Sequence, residues 1–308
     1  MALEDALSRI EVLPELGAKM ISLFDKRRHR EWLWRTPDRE FRRPGYGDTF
    51  EDYDLSGFDD CFPTVGECPY PEPPWEGVSA PDHGELWSLP WECRRDNEVL
   101  LCVCQGRQFP YRFERRMSLL ANGGVRLDYR VHSNSDHPFK CMWSAHPLLA
   151  ISPGARLVVA QDAGLDEVTL DWSLDARLGA VGTRHPFPVT TDAQGATVDL
   201  FSAPPRSDRQ AYKLFSDRLR RGECMVVDAA APDALLLTWP AEVVPYLGLW
   251  LNYGGIPLES PHYNLAPEPC TAPAERLDTA VARAECTTLA PNGDVTWWME
   301  LAFKEAIA

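Results

Sequence analysis

Apolar and polar residues alternate with period two along most of this chain, and few segments carry the 3.6-residue period of an amphipathic helix. The alternation is plainest after Phe139. Phe139, Cys141, Trp143 and Ala145 fall on one side of an extended chain, while Lys140, Met142, Ser144 and His146 fall on the other. The first side suits a core and the second a cleft wall. The wider stretch from Tyr129 to Pro147 predicts two strands joined by a polar turn at Asn134-Ser-Asp136, and it delivers His146 just before a proline.

Short extended runs bounded by turn residues fill much of the rest. They are expected at Ile10–Trp34 as a strand pair, and at Glu98–Gln105, Tyr111–Leu119, Gly124–Ser133 and Phe139–Ala150. Others follow at Arg156–Ala160, Glu167–Trp172, Thr197–Phe201, Gly222–Ala229, Ala234–Trp239, Tyr246–Asn252, Tyr263–Glu268 and Val295–Phe303. Gly106, Asn122-Gly-Gly and Asn134-Ser-Asp punctuate them. Ala211–Arg221 reads equally as a short helix or a strand, and a helical turn is expected within Ala274–Ala284. So many short strands with hardly any helix predict an all-β fold, a large antiparallel β-sandwich. No composition break divides the chain, so residues 1–308 are read as one domain.

Two stretches depart from the pattern. Arg35–Arg43 is rich in arginine but broken by acids and proline, which predicts a solvated loop. Pro44–Trp91 is dense in Gly, Pro, Asp and aromatics, which excludes a regular helix and predicts an ordered loop covering a cleft.

Composition narrows the partners. The formal net charge of -15 disfavours nucleic acid and anionic membrane surfaces, and a neutral small molecule fits better. Nine cysteines lack any zinc-like spacing, which predicts reduced thiols and no metal site. Neither a signal peptide nor a membrane-spanning helix is evident, so a soluble cytoplasmic protein is expected.

Three groups stand out chemically. His83 follows the aromatic loop in His-Gly-Glu-Leu-Trp87. His146 closes its strand. Glu268 shares one strand face with Asn264 and Ala266. An imidazole and a carboxylate on a common cleft supply a general acid and base near neutral pH, although a histidine beside a proline also serves as plain packing, and a glutamate between prolines as a rigid turn residue. Asp59 and Asp60 are either a grip for sugar hydroxyls or a solvated turn.

The ordered set of segments resembles the aldose 1-epimerase (mutarotase) superfamily. The residues concerned are Leu16-Gly-Ala-Lys-Met-Ile-Ser-Leu with Leu33-Trp34, Phe62-Pro with His83-Gly-Glu-Leu-Trp87, Trp143-Ser-Ala-His-Pro147, Pro245-Tyr-Leu-Gly-Leu-Trp250, and Glu268-Pro-Cys-Thr. The resemblance implies a galactose-mutarotase-like supersandwich that interconverts the anomers of an aldose without a cofactor. It implies Glu268 as the base at the anomeric hydroxyl, His146 as the acid at the ring oxygen, and His83 binding the sugar. Trp87 is expected to be exposed and to stack on the pyranose, with Asp60 as a further sugar contact. Where many relatives carry Gly-Arg after the loop's Phe-Pro, this chain has Gly66-Glu67, which points away from phosphorylated sugars. A carbohydrate-binding protein without turnover, or an enzyme abstracting a proton in a lyase-like reaction, would use the same constellation.

Overall fold

Antiparallel pairing organises almost every element. A computed structural model describes residues 1–36, 40–230 and 233–305; residues 37–39, within the arginine-rich stretch, lie outside the described residues. Among those described, twelve strands form one sheet and eight another. The middle of the larger sheet runs, in spatial order, Lys19–Asp25, Phe58–Cys61, Ser144–Pro147, Tyr263–Cys270, Tyr246–Tyr253, Gln210–Ser216 and Glu167–Ser173. The smaller sheet centres on Asp233–Trp239, Asp294–Glu305, Gly124–Ser133 and Tyr111–Leu119. The expected all-β sandwich is what the chain forms.

The alternation works as elementary strand geometry requires. Alternate residues of most strands in both sheets enter one shared core, where Tyr129 and Trp297 of the smaller sheet meet Trp143, just before the Ser144–Pro147 strand of the larger, each with ring centroids 5.0 Å from the Trp143 ring. The opposite face of the larger sheet is a second, mixed surface. It carries its own small apolar cluster, Trp34, Leu148 and Ala266, with Trp250 packed against it.

Several local expectations are sharpened. Gln210–Ser216 is a strand, which settles the helix-or-strand ambiguity of that segment. The helix near the C-terminus is short, Leu277–Ala282. Phe139–Ala150 is three strand pieces, Phe139–Cys141, Ser144–Pro147 and Leu149–Ala150, with the first in a separate two-stranded sheet. The long loop before Trp91 is ordered: it contributes Phe58–Cys61 to the larger sheet and a 3-10 turn at Phe50–Asp52.

The reading of nine reduced thiols needs correction. Cys93 and Cys102 sit directly opposite each other on the paired strands Glu92–Asp96 and Val99–Gln105, and they form a disulfide. The strand register aligns them, and sequence spacing gave no sign of it. Among the described residues no helix is long and apolar enough to cross a membrane.

Candidate functional site

His146 and Glu268 are brought together by adjoining strands of the larger sheet, both on its mixed face. His146 Nε2 lies 3.7 Å from Glu268 Oε1. Glu268 is wholly buried and His146 nearly so. Opposite Glu268 stands Gly248, where an added Cβ would lie 3.3 Å from the carboxylate oxygen, so the absence of a side chain makes room for the acid. Neither Glu268 Oε1 nor His146 Nδ1 has a hydrogen-bond partner in the protein, although both are buried. Buried polar atoms are nearly always paired. Two unpaired polar atoms on neighbouring buried side chains mark a place built to meet polar groups from elsewhere.

His83 completes the group. Its ring stands perpendicular to that of His146, with centroids 5.4 Å apart. Its Nδ1 lies 2.9 Å from Asp82 Oδ1, a pairing that fixes the imidazole's orientation. Two hydrogen bonds, from His83 and from the Phe50 amide, outweigh burial and hold the Asp82 carboxyl below its ordinary pKa. His83 adopts a left-handed backbone conformation, φ 56°, and Gly84 follows at φ 72°. A non-glycine residue held there costs about 1 kcal/mol or more and is found preferentially at functional sites. At Gly84 a Cβ would sit 2.2 Å from the Phe62 carbonyl oxygen, so the backbone can approach only because the residue is glycine.

Lys213 and Phe50 were not singled out from the sequence, and Asp59, read as a sugar grip or a solvated turn, is buried in an ion pair. Lys213, on the strand Gln210–Ser216, hydrogen-bonds Glu268 Oε2 and lies 3.0 Å from Glu275 Oε1. Asp59 lies directly across the strand pair from His146 and is bridged to Lys19 at 2.9 Å. Lys19 also donates to the backbone carbonyls of Asp54 and Ser56. Phe50 lays its ring flat on His83, centroids 3.9 Å apart and planes 15° apart, and edge-on to His146 at 5.7 Å. Its segment is tethered by Tyr46, whose hydroxyl donates to the buried Glu85 at 2.7 Å. Period-two reasoning placed His146 and Glu268 on the correct face. It could not find partners that arrive from strands far apart in sequence.

Two expected sugar contacts lie elsewhere. Asp60 faces the opposite way from Asp59, into the sandwich, where its carboxylate accepts from Arg115 at 2.6 Å and from Trp143 Nε1 at 3.0 Å. It is fully buried, so it is neither a solvated turn residue nor free to grip a ligand; it links the two sheets. Trp87 is also buried, with its indole N–H bonded to the Asp82 carbonyl and with Phe50 and Tyr53 against its ring. It supports the Phe50 segment and is not an exposed platform. Glu67 is exposed and accepts from Ser79.

Electrostatics tune the pair. Burial pushes the Glu268 carboxyl up to about 7, against the opposing pull of Lys213, and Glu275 adds to the rise. Burial, helped by the nearby His83, Lys213 and Lys19, holds His146 well below the ordinary histidine range. The two shifts run in opposite directions, so a proton shared by the coupled pair rests on Glu268 rather than on His146. Among the described residues no cluster of three His, Cys, Asp or Glu side chains is arranged to hold a metal ion.

No protein-family model matches the sequence, and no curated protein is similar to it. Solved structures share the fold over almost the full length. The Slr1438 protein of Synechocystis sp. PCC 6803 is 17% identical with a TM-score of 0.72, covering 99% of this chain and 95% of that one. A candidate aldose 1-epimerase from Escherichia coli K12 is 14% identical with a TM-score of 0.71, covering 99% and 98%. A galactose mutarotase-like protein from Lactobacillus casei is 15% identical with a TM-score of 0.64, covering 99% of each.

Proposed function

We propose that the protein is an aldose 1-epimerase-type isomerase acting on a free, non-phosphorylated sugar. The observation that carries this reading is the buried pair of Glu268 and His146, each offering an unpaired polar atom beside His83. Proteins that share the fold and are described as epimerases or mutarotase-like lend it support.

In the proposed reaction Glu268 removes the proton from the anomeric hydroxyl. The bond between the anomeric carbon and the ring oxygen breaks, its electrons pass to the ring oxygen, and His146 protonates that oxygen. The open aldehyde rotates about its bond to C2, and the reverse steps close the ring on the other face. Protons alone move, and the pair ends each turnover as it began. The reactive form carries one proton on His146 and none on Glu268, and it is reached from the resting pair by moving the shared proton from Glu268 to His146. Lys213 holds Glu268 Oε2, which leaves Oε1 toward His146, and its charge keeps the buried carboxyl ionisable near neutrality. His83, oriented by Asp82, would donate to the sugar.

Two lysines at the site are already paired, Lys19 with Asp59 and Lys213 with Glu268 and Glu275. A phosphate would have to displace a buried ion pair, so a neutral sugar is favoured. The deciding experiment follows the equilibration of freshly dissolved single anomers by polarimetry, beside Glu268→Gln and His146→Ala. The wild type should accelerate at least one sugar, and each variant should lose about 10²-fold or more, the usual share of an acid or base. Sugar binding without acceleration would instead identify a carbohydrate-binding protein.

A further inference from the structure

A β-bulge puts a tryptophan where alternation would not. On the strand Glu167–Ser173, Val168 and Leu170 face the core, and Trp172 should follow them by period two. The pairing with Gln210–Ser216 instead shifts between Leu170 and Trp172: Leu170 stands opposite Leu214, but Trp172 stands opposite Lys213. Directly paired residues share a face of the sheet. Asp171 is thus the extra residue, and Trp172 is turned out of the core onto the face that carries Lys213 and Glu268. Bulges of this kind recur beside active sites, where they re-aim side chains.

Trp172 does not stand alone. Lys213 is paired on its other side with Trp250, which is paired in turn with Ala266, two residues from Glu268 on the same strand face. The Trp172 and Trp250 rings stack, centroids 5.7 Å apart and planes 29° apart. Their strands are separated by the Lys213 strand and so lie about 10 Å apart. The rings must therefore lean toward each other across the lysine that holds Glu268. Trp172 nevertheless keeps 37% of its surface exposed, although a tryptophan is highly buried on average. A large aromatic taken from the core and left open beside an acid–base pair is the arrangement of a ligand platform.

We propose that Trp172 and Trp250 form a second sugar subsite, so that the preferred substrate is a neutral reducing oligosaccharide: its reducing-end residue sits at Glu268, and the adjoining residue lies against the tryptophan pair. This rests on the isomerase reading for the first subsite. The apolar C–H face of a pyranose suits an aromatic surface, and Glu275 and the half-buried Asp171, both near Lys213, offer acceptors to hydroxyl groups at its edge.

The test compares glucose with lactose, maltose and cellobiose, which all end in glucose, using kcat/KM for mutarotation and calorimetric binding at anomeric equilibrium. The wild type should favour at least one disaccharide over glucose by about tenfold. Trp172→Ala should lower that disaccharide-to-glucose ratio about tenfold, with Trp172→Phe restoring part of it, and thermal unfolding should confirm that both variants are folded. If glucose is isomerised but no disaccharide is preferred, or the ratio ignores Trp172→Ala, the subsite is refuted while the isomerase reading stands. If no sugar is isomerised, that reading fails, and binding decides the subsite alone. Tighter disaccharide binding that is lost in Trp172→Ala upholds it; equal or absent binding refutes it.

Discussion

Lys213 and Glu268 share a buried hydrogen bond that occupies one oxygen of the carboxylate and leaves the other facing His146. The strands that carry them are separated by only the Tyr246–Tyr253 strand. Removing the cation should therefore act on the charge of the base. With Lys213→Met the ionised form of Glu268 loses its stabilising neighbour, so its pKa rises. His146 also loses a repelling charge, so its pKa rises too. The whole pH profile of kcat/KM should move to higher pH, by about one unit or more, as expected for a neighbouring opposite charge. Lys213→Arg should restore part of the displacement. A uniform loss of rate with no shift would show that Lys213 only shapes the site.

The wild-type profile itself follows from the coupled pair, which must hold one proton to work. As pH rises through about 7, the last proton leaves, and kcat/KM should fall. As pH drops well below the ordinary histidine range, a second proton arrives and no base remains, so the rate should fall again. The optimum therefore lies below pH 7. Stopped-flow polarimetry from acid through neutral to alkaline pH would reveal an optimum above about pH 8 if the assignment were wrong.

Arg115 and Asp60 join the two sheets across the core, both fully buried. Breaking such a pair from one side strands a charge and costs about 3–5 kcal/mol. Arg115→Met should lower the unfolding free energy by that amount in urea titration, and adding Asp60→Asn should recover part of it. Equal losses for the single and double variants would argue against an ion pair that matters.

Entry to the site depends on the Phe50 segment, because Glu268 has no exposed surface and Phe50 covers His83. Tyr46→Phe removes the hydrogen bond that tethers this segment to Glu85. A net loss of about 1 kcal/mol would raise the population of an open form about fivefold, and the apparent sugar affinity should rise in proportion. Faster amide exchange at residues 46–53, with a lower KM, is the expected signature. Unchanged exchange would mean that the tether does not control opening.

Substrate charge provides a further check. Glucose 6-phosphate should be a poorer substrate than glucose by about tenfold or more, because the described cations near Glu268 are committed to carboxylates. A preference for the phosphate ester would overturn the neutral-sugar reading.

How much of this was legible in the sequence depended on distance along the chain. The parity of Phe139–His146 set Trp143 in the core and His146 on the other face, but it put Met142 with His146, whereas the strand breaks at Met142-Trp143 and Met142 packs in the core. The shared face of Asn264, Ala266 and Glu268 was equally readable, since both are properties of single strands. Lys213 was not, because its segment suited either helix or strand, and its partners come from other strands. The fate of Asp60 turned on Arg115, which approaches from the facing sheet. Trp87 looked open because nothing local announces that Phe50 will fold over it. The outward turn of Trp172 was not readable for a different reason: a bulge breaks the period of its strand.

Asp59 and Asp60 are adjacent in sequence, yet one faces the candidate site and the other ties the sheets together. Slipping the Phe58–Cys61 strand by a single residue would exchange these duties. It would also turn Phe58, which shares the parity of Asp60, out of the core. A misregistered molecule is thus penalised by the same strand that positions the working site. Recovery of sugar isomerisation after refolding would then report correct closure of the sandwich, and an inactive but native-like population should not accumulate.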